Sequence, residues 1–260
     1  MTKPLPAAKA VADFYDGLAP FYDDMTGGKD RFARTMETFR TIVKTYGLRT
    51  ALDAGAGTGS LALILASLGL EVTAVDLSPQ MIAALKNNAA ALGLTLNASV
   101  LDIRILTGVA TEGFDAVFCL GNTFAHLSLP TDHADAAKEF FRVLRPGGIL
   151  ILQTLNFDAS RNSATLPHIS NRSSDSLFDR RYARTPEGVR LTVSKENEGS
   201  GERQDFSLEL RPIQSQEAVA TLSSAGFAHV GLYGDLAQSV WNPLESKDLV
   251  IFAQKSNPID

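Results

Sequence analysis

The sequence predicts an α/β domain organised around a mostly parallel sheet, and three observations carry that expectation. Between residues 49 and 156, short apolar runs alternate with helical stretches, as parallel strands joined by crossover helices require. The first run ends in a turn containing Gly55, Gly57 and Gly59, directly before a helical pattern. The second run ends in Asp76 and is followed by Ser78-Pro79, a serine N-cap with proline at the first helical position.

The elements follow in order. Residues 1–48 read as an N-terminal helical cap or lid. It holds two aromatic-acidic clusters, Phe14-Tyr15-Asp16 and Phe21-Tyr22-Asp23-Asp24. A helical pattern follows from Arg31 to Tyr46, with Phe32, Met36, Phe39 and Val43 spaced by three or four. Residues 49–156 form the core. Thr50–Asp53 is the first strand, Gly59 to Leu68 a helix, and Glu71–Val75 the second strand. A helix opens at Ser78-Pro79. Leu96–Leu101 and Asp115–Leu120 are strands three and four. Ala134–Leu144 is a helix stopped by Arg145-Pro146-Gly147-Gly148, and Ile149–Leu155 is strand five. Residues 157–212 are a β insert expected to lie over the acceptor pocket and to set the choice of acceptor. Ser160 to Asp175 is polar and irregular, and Leu177–Tyr182, Val189–Lys195 and Gln204–Leu210 alternate as a small antiparallel sheet. In residues 213–260, a helix over Gln214–Ala225 stops at Gly226. Phe227–Tyr233 and Asp248–Gln254 then return to the core sheet as an antiparallel pair.

Bulk properties narrow the function. A chain of 260 residues, 45% hydrophobic and 20% charged, buries a substantial core. Its net charge of -5 argues against nucleic acid as the main partner, because phosphate binding rests on clustered Lys and Arg. Cys119 is the only cysteine, so no intramolecular disulfide framework exists. Met1–Pro6 lack a signal peptide's apolar core and no apolar stretch is long enough to span a bilayer, so a cytoplasmic location is expected. His126, His133, His168 and His229 are scattered and no ligand spacing stands out, so no metal is expected.

Chemistry concentrates at the glycine turn. A strand ending in Asp53 and leading through three glycines into a helix lets backbone approach a ligand closely, although a tight turn without a ligand has the same pattern. Asp76 closes the second strand, where a carboxylate can accept both ribose hydroxyls of a nucleoside cofactor; capping its own turn is the alternative. Asp102 follows strand three, where it can meet an adenine amino group with Ile103 against the ring; a solvated loop acid is the plainer reading. The nicotinamide dinucleotide fingerprint wants its third glycine at position 60, which is Ser60.

In these residues the sequence resembles the class I S-adenosylmethionine-dependent methyltransferases. The match runs through Leu52-Asp53-Ala54-Gly55-Ala56-Gly57-Thr58-Gly59, Val75-Asp76-Leu77-Ser78 and Leu101-Asp102-Ile103. Phe114-Asp115-Ala116-Val117 and Leu144-Arg145-Pro146-Gly147-Gly148 extend it. It spans about Thr50 to Asn156 and continues weakly beyond. It implies a Rossmann-like seven-stranded sheet with the last strand antiparallel, helices on both faces, and the cofactor over the carboxyl ends of strands one to four. The cofactor set it implies is Tyr15, Tyr22, Arg34, Asp53, Gly55, Ala56, Gly57, Thr58, Gly59, Asp76, Leu77, Met81, Asp102, Ile103, Leu120, Gly121 and Asn122.

The segment Cys119–Leu127 is similar to that of glycine N-methyltransferases, as are Leu155-Asn156-Phe157-Asp158 and Arg34-Thr35. Arg34 then clamps the cofactor's carboxylate, an exposed helical arginine being the alternative. These segments also occur in methyltransferases of other small molecules, including sugar amines. Methyl transfer is an in-line displacement that mainly needs alignment. His126, Asn122 and Tyr22 are the candidate catalytic residues. His126 is either a base or a histidine packed beneath the cofactor. Asn156, Arg181, Tyr182 and Trp241 are the candidate acceptor-binding residues, with turn, solvated-strand and core-filling roles as their alternatives. The residues after strand four, Leu120-Gly121-Asn122-Thr123, lack the Pro-Pro-aromatic run of nucleic-acid amino-methylating enzymes, and Phe118 rather than proline precedes Cys119. The expectation is therefore methyl transfer to a small-molecule nitrogen. Oxygen transfer comes second, and a non-catalytic binder or an oxidoreductase comes further behind; S-adenosylhomocysteine is the product, and monomer versus homodimer stays open.

Overall fold

Two sheets organise the chain in a computed structural model that describes residues 6–159, 166–173, 175–186 and 188–256. The N-terminal part is helical: α1 (Pro6–Leu18), a 3-10 turn (Ala19–Phe21), α2 (Tyr22–Thr26) and α3 (Gly28–Tyr46). Both aromatic-acidic clusters lie on this lid. Ala8, Phe14 and Leu18 of α1 are buried, and Val11 packs beside them. That apolar face is what makes the segment helical rather than loop.

The core then alternates β1 (Thr50–Ala54), α4 (Ser60–Ser67), β2 (Glu71–Asp76), α5 (Pro79–Ala91), β3 (Asn97–Val100), β4 (Phe114–Cys119), a 3-10 turn (Thr123–His126), α6 (Pro130–Val143) and β5 (Leu144–Leu155). After the insert come α7 (Ser215–Ser224), β10 (Phe227–Tyr233) and β11 (Asp248–Lys255). The sheet has seven strands in the order β10-β11-β5-β4-β1-β2-β3, and β11 runs antiparallel to both neighbours. Every residue of β4 is buried, as a central strand covered on both faces demands. Phe39, Ile64 and Phe118 sit in the core on one face, and Phe124, Phe140 and Leu222 in that on the other. Strands β1, β2 and β4 end at one rim, which brings Asp53, Asp76 and Cys119 together.

Three segments depart from the sequence expectation. Helix α6 begins at Pro130, one turn early, because the Asp132 carboxylate accepts the Leu129 N–H at 3.0 Å and caps the new first turn. The Arg145–Gly148 segment is strand, not turn: β5 pairs with β4 from Phe114↔Leu144 onward through a register shift, beside a 2.5 Å ion pair from Arg145 to Asp115. Part of the polar stretch is also strand. The insert sheet has the order β6-β7-β8-β9, built from β6 (His168–Ser173), β7 (Ser176–Arg184), β8 (Val189–Asn197) and β9 (Arg203–Leu210). Strand β6 is an edge strand with polar residues on both faces, so no apolar alternation announces it.

The insert sheet buries Phe178, Leu191, Val193 and Leu208 against Phe14, Leu18, Phe21 and Met25 of the lid. Phe21 stacks on Phe178 with ring centroids 5.8 Å apart. Truncating Phe178, which is 2% exposed, to alanine is expected to cost about 3 kcal/mol in urea unfolding. It should also speed proteolysis within residues 6–26 before the core sheet is cut; an unaltered cleavage order would refute the lid–insert packing.

Candidate active site

The glycine turn is shaped by what surrounds it. Gly55 has φ +82°, and a Cβ there would sit 2.4 Å from Thr123 Cγ2; at Gly59, φ +93°, it would sit 2.7 Å from Leu85 Cγ. Neither position accepts a side chain. The Asp76 carboxylate holds the turn, accepting the Gly57 N–H on Oδ2 at 2.8 Å and the Ser78 N–H on Oδ1 at 2.9 Å. Burial raises the Asp76 pKa, and the Ser78 and Gly57 amides pull it back.

A cavity of about 530 Å³ opens over this rim. Asp53 reaches it from β1 with Oδ2 buried and without a hydrogen-bond partner. Burial pushes its pKa up to about 7, with the Asp76 charge adding to the rise. An orphaned acceptor, a turn that only glycine can form, and a carboxylate closing β2 fit the nucleoside cofactor with an α-ammonium group that the sequence leads one to expect.

The lid is fastened to the loops that make this rim. Ser78 Oγ donates to Asp16 Oδ1, and Asp16 also accepts the Gln80 N–H at 3.2 Å. Thr58 Oγ1 donates to Asp23 Oδ1, while Asn88 donates to Asp23 Oδ2 at 3.0 Å. The lid also lowers Tyr15 onto His126, with the hydroxyl 2.9 Å from Nε2. His126 Nδ1 lies 2.9 Å from the Asn122 carbonyl, which can only accept. The Nδ1 therefore carries the proton, and the Nε2 lone pair receives the Tyr15 hydroxyl. Burial holds His126 down at about 4 and pushes Tyr15 well above its usual range, so both are neutral near pH 7.

At the far end, Asp102 and Ile103 line the cavity as expected of an adenine pocket, but Asp102 is ion-paired with Arg104 at 2.6 Å. Arg104 also reaches Asp132 at 2.8 Å, and hydrogen bonds to both acids raise its pKa. Arg104, two residues from Asp102, also lines the cavity, and the sequence did not single it out for the site. The same holds for Thr38 and Phe39 of α3, Gln153, Asp235–Ala237, Asp248 and Val250, whereas Thr35 of the Arg34-Thr35 pair lines the cavity as well.

Most expected cofactor residues reach the cavity: Tyr15, Tyr22, Asp53, Gly55, Ala56, Gly57, Thr58, Asp76, Leu77, Asp102, Ile103, Leu120 and Gly121. His126 lines it too. Met81 is fully buried under the lid, with its amide bonded to Ser78, and Gly59 packs on Leu85. The backbone of Arg34 lies in α3; its side chain falls outside the described residues. Asn122 sits at φ +70°, its Oδ1 accepting from Leu155 and its Nδ2 buried without a partner, and it supports His126 from behind.

Asn156, Arg181, Tyr182 and Trp241, expected on the acceptor side, are not among the residues that line this cavity. Asn156 donates to the Pro243 and Ser246 carbonyls at 3.1 and 2.7 Å and accepts from the Asp158 and Ala159 amides. Its hydrogen-bonding capacity is spent on stapling loops. Arg181 pairs with Asp179 at 2.5 Å on the outer face of β7, beside a small pocket of about 130 Å³ that also holds His168. Strand alternation puts Arg180, not Arg181, on the face shared by Phe178 and Tyr182. Tyr182 packs into the lid–insert core behind Tyr15, and Trp241 packs against the core beside α6 and α7. Among the described residues, none from β6 to β9 lines the cavity. Nor does any group of three or more His, Cys, Asp or Glu form a metal cluster, or any helix have the length and apolarity to cross a membrane.

Residues 51–148 match a family profile described as a methyltransferase domain. The chain is 26% identical over 245 residues to the glycine/sarcosine/dimethylglycine N-methyltransferase of Actinopolyspora halophila, covering 94% of this chain but only 42% of that protein. It is 28% identical over 228 residues to the glycine/sarcosine N-methyltransferase of Aphanothece halophytica, covering 87% and 84%. Among solved structures, the CcbJ methyltransferase from Streptomyces caelestis shares the fold with a TM-score of 0.80 at 22% identity, over 94% of this chain and 98% of that one.

The imidazole geometry has a direct readout. Nitrogen NMR should find His126 in the Nδ1–H tautomer at pH 7, titrating at about 4. A folded-state pKa below the unfolded value removes stability as pH falls from about 6.5 toward 4. His126→Asn should flatten that part of the stability–pH curve; an imidazole titrating near 6.5 would refute the buried pair.

Proposed function

We propose that this chain, which belongs to the class I S-adenosylmethionine-dependent methyltransferases, transfers a methyl group to a nitrogen of a small molecule. The observation that carries nitrogen over oxygen is the Tyr15–His126 pair. The Nε2 lone pair of His126 is taken by the Tyr15 hydroxyl, and burial keeps the ring neutral. The histidine in the turn after β4 thus has no free lone pair with which to deprotonate an alcohol or phenol. A free amine needs no such base, because its own lone pair attacks. The N-methyltransferase names of the relatives accord with this reading.

S-adenosylmethionine, when bound, supplies an electrophilic methyl group on a sulfonium and leaves as S-adenosylhomocysteine. The protein's part is positioning. Asp76 would receive the ribose hydroxyls beside the amides that already hold it, and Asp53 would balance the α-ammonium charge. Ile103 and Leu101 would cover the adenine, with the Asp102–Arg104 pair at its edge. Leu120 and Gly121 at the end of β4 border the reacting centre, where Tyr15, its proton directed at His126, offers oxygen lone pairs to an amine N–H. Tyr22 closes the cavity above Gly57, approaching within 3.6 Å of where its Cβ would be. A small-molecule partner and a cytoplasmic setting complete the reading, with the net charge of -5 favouring neither nucleic acid nor anionic lipid.

Turnover decides between an enzyme and a passive binder: S-adenosylhomocysteine should accumulate with amines and not with matched phenols or carboxylates. No release with any acceptor, despite cofactor binding, would refute the transfer reading. Asp76→Ala should weaken S-adenosylmethionine at least about tenfold in calorimetry, since two charge-assisted hydrogen bonds are lost, and unchanged affinity would remove the ribose assignment. Asp53 sets a pH dependence. Its carboxyl ionises above about 7, and only the ionised form attracts an ammonium. Affinity should fall toward tenfold per pH unit between 7 and 5.5, and Asp53→Asn should abolish that slope.

A further inference from the structure

At the β3 end of the cavity one buried arginine bridges two acids. Arg104 Nε donates to both Asp102 oxygens, at 3.0 and 3.1 Å, and Nη2 donates to Asp102 Oδ2 at 2.6 Å. The Arg104 backbone N–H adds a fourth bond, to Asp102 Oδ1 at 2.9 Å. Nη1 donates the other way, to Asp132 Oδ1 at 2.8 Å in the first turn of α6. All three residues line the cavity, beside Leu101, Ile103 and Ser128.

Stability alone does not account for this triad. A buried ion pair recovers little beyond the desolvation it costs, and the loop that carries Arg104 is held without it. Leu101 N–H donates to the Asp76 carbonyl at 3.0 Å. At the other end Leu106 is fixed to α6 twice, its N–H donating to Glu139 at 2.8 Å and its carbonyl accepting Arg142 Nη2 at 3.0 Å. Asp132 caps α6 with Oδ2, the oxygen that Arg104 does not use. What Arg104 alone fixes is the direction of the Asp102 carboxylate. Of the two side chains that carboxylate stands the more open, 19% exposed against 8% for Arg104. An ionised carboxylate can only accept.

Resting on the S-adenosylmethionine reading of the cavity, we propose that Arg104 is a positioning residue for selection of the nucleobase. By holding Asp102 in one orientation against α6, it makes this end of the cavity favour a purine with an amino group at C6 over one with an oxygen there. An amino N–H donates to the fixed carboxylate. A 6-oxo group sets oxygen against oxygen, and both lack a donor. With Arg104 gone, the carboxylate swings away from an opposing oxygen, and the penalty on the 6-oxo base falls.

Calorimetric titration of the full chain with S-adenosylhomocysteine, and with its 6-oxo (inosine) counterpart, reads this selection without turnover. The native chain is expected to bind the 6-amino compound at least about tenfold more tightly, the worth of one hydrogen bond to a charged group. In Arg104→Gln the ratio should fall to about threefold or less. Arg142→Gln loosens the same loop at Leu106 without touching Asp102; it should lower the melting temperature and leave the ratio native. Should Arg104→Gln not fold, Asp132→Asn removes the anchor on α6 while Asp102 stays paired, and the ratio should fall there too. Equal affinity of the two compounds in the native chain overturns the proposal. So does a native ratio in folded Arg104→Gln, or in Asp132→Asn where that variant stands in, or an equal fall in Arg142→Gln. A native chain that binds neither compound removes the cofactor reading, and the proposal with it.

Discussion

The Asp76 carboxylate takes the Gly57 amide on one oxygen and the Ser78 amide on the other, tying the glycine turn after β1 to the start of α5. A buried carboxylate is costly unless such donors surround it, and this one sits at the rim where three parallel strands end. With it in place the turn can hold positive φ angles, Ser78 can cap α5, and the cavity has a floor. The lid depends on the same point. Asp16 attaches through Ser78 and Asp23 through Thr58, each one residue beyond an amide that Asp76 holds or two beyond Asp76 itself. One strand-end acid thus sets the positions of turn, helix and lid.

The insert sheet acts at one remove. Its apolar face is covered by the lid helices, with Phe178 and Phe206 around Phe21. It supports Tyr15 through Tyr182 rather than walling the cavity. The lid is therefore pressed from outside by hydrophobic packing and pinned from inside by carboxylates, two forces with different sensitivities to temperature and salt. The cavity walls come from α3, the strand ends and the β10–β11 loop.

Elements governed by local rules were legible in the sequence. The glycine turn, the Ser78-Pro79 helix start and the alternation of β4 and β5 with helices needed only nearest neighbours, and each lies close to where it was expected. Elements governed by distant partners were not. The polar edge strand β6 owes its existence to pairing with β7. The commitment of Asn156 became visible only with the loop at Pro243 and Ser246, nearly ninety positions away in sequence. Arg180 and Arg181 lie on opposite faces of β7, a distinction that one residue of register decides. Arg104 carried a local signal, an arginine two residues beyond an acid, but its second partner Asp132 did not. The contribution of the β10–β11 loop to the cavity had no signal at all, since a loop's destination is set by the strands it joins.

The attachment of the lid has a kinetic corollary. Asp16 and Asp23 grip Ser78 and Thr58, which flank the glycine turn at the cavity rim. A ligand seated beneath the lid would have to wait for both grips to break before leaving over that rim. Hydrogen bonds to a charged group are worth about 1.5–3 kcal/mol each, enough to slow exchange by orders of magnitude without altering equilibrium affinity. Contacts that hold the lid would then govern how long a ligand stays, and contacts made to the ligand how tightly it binds.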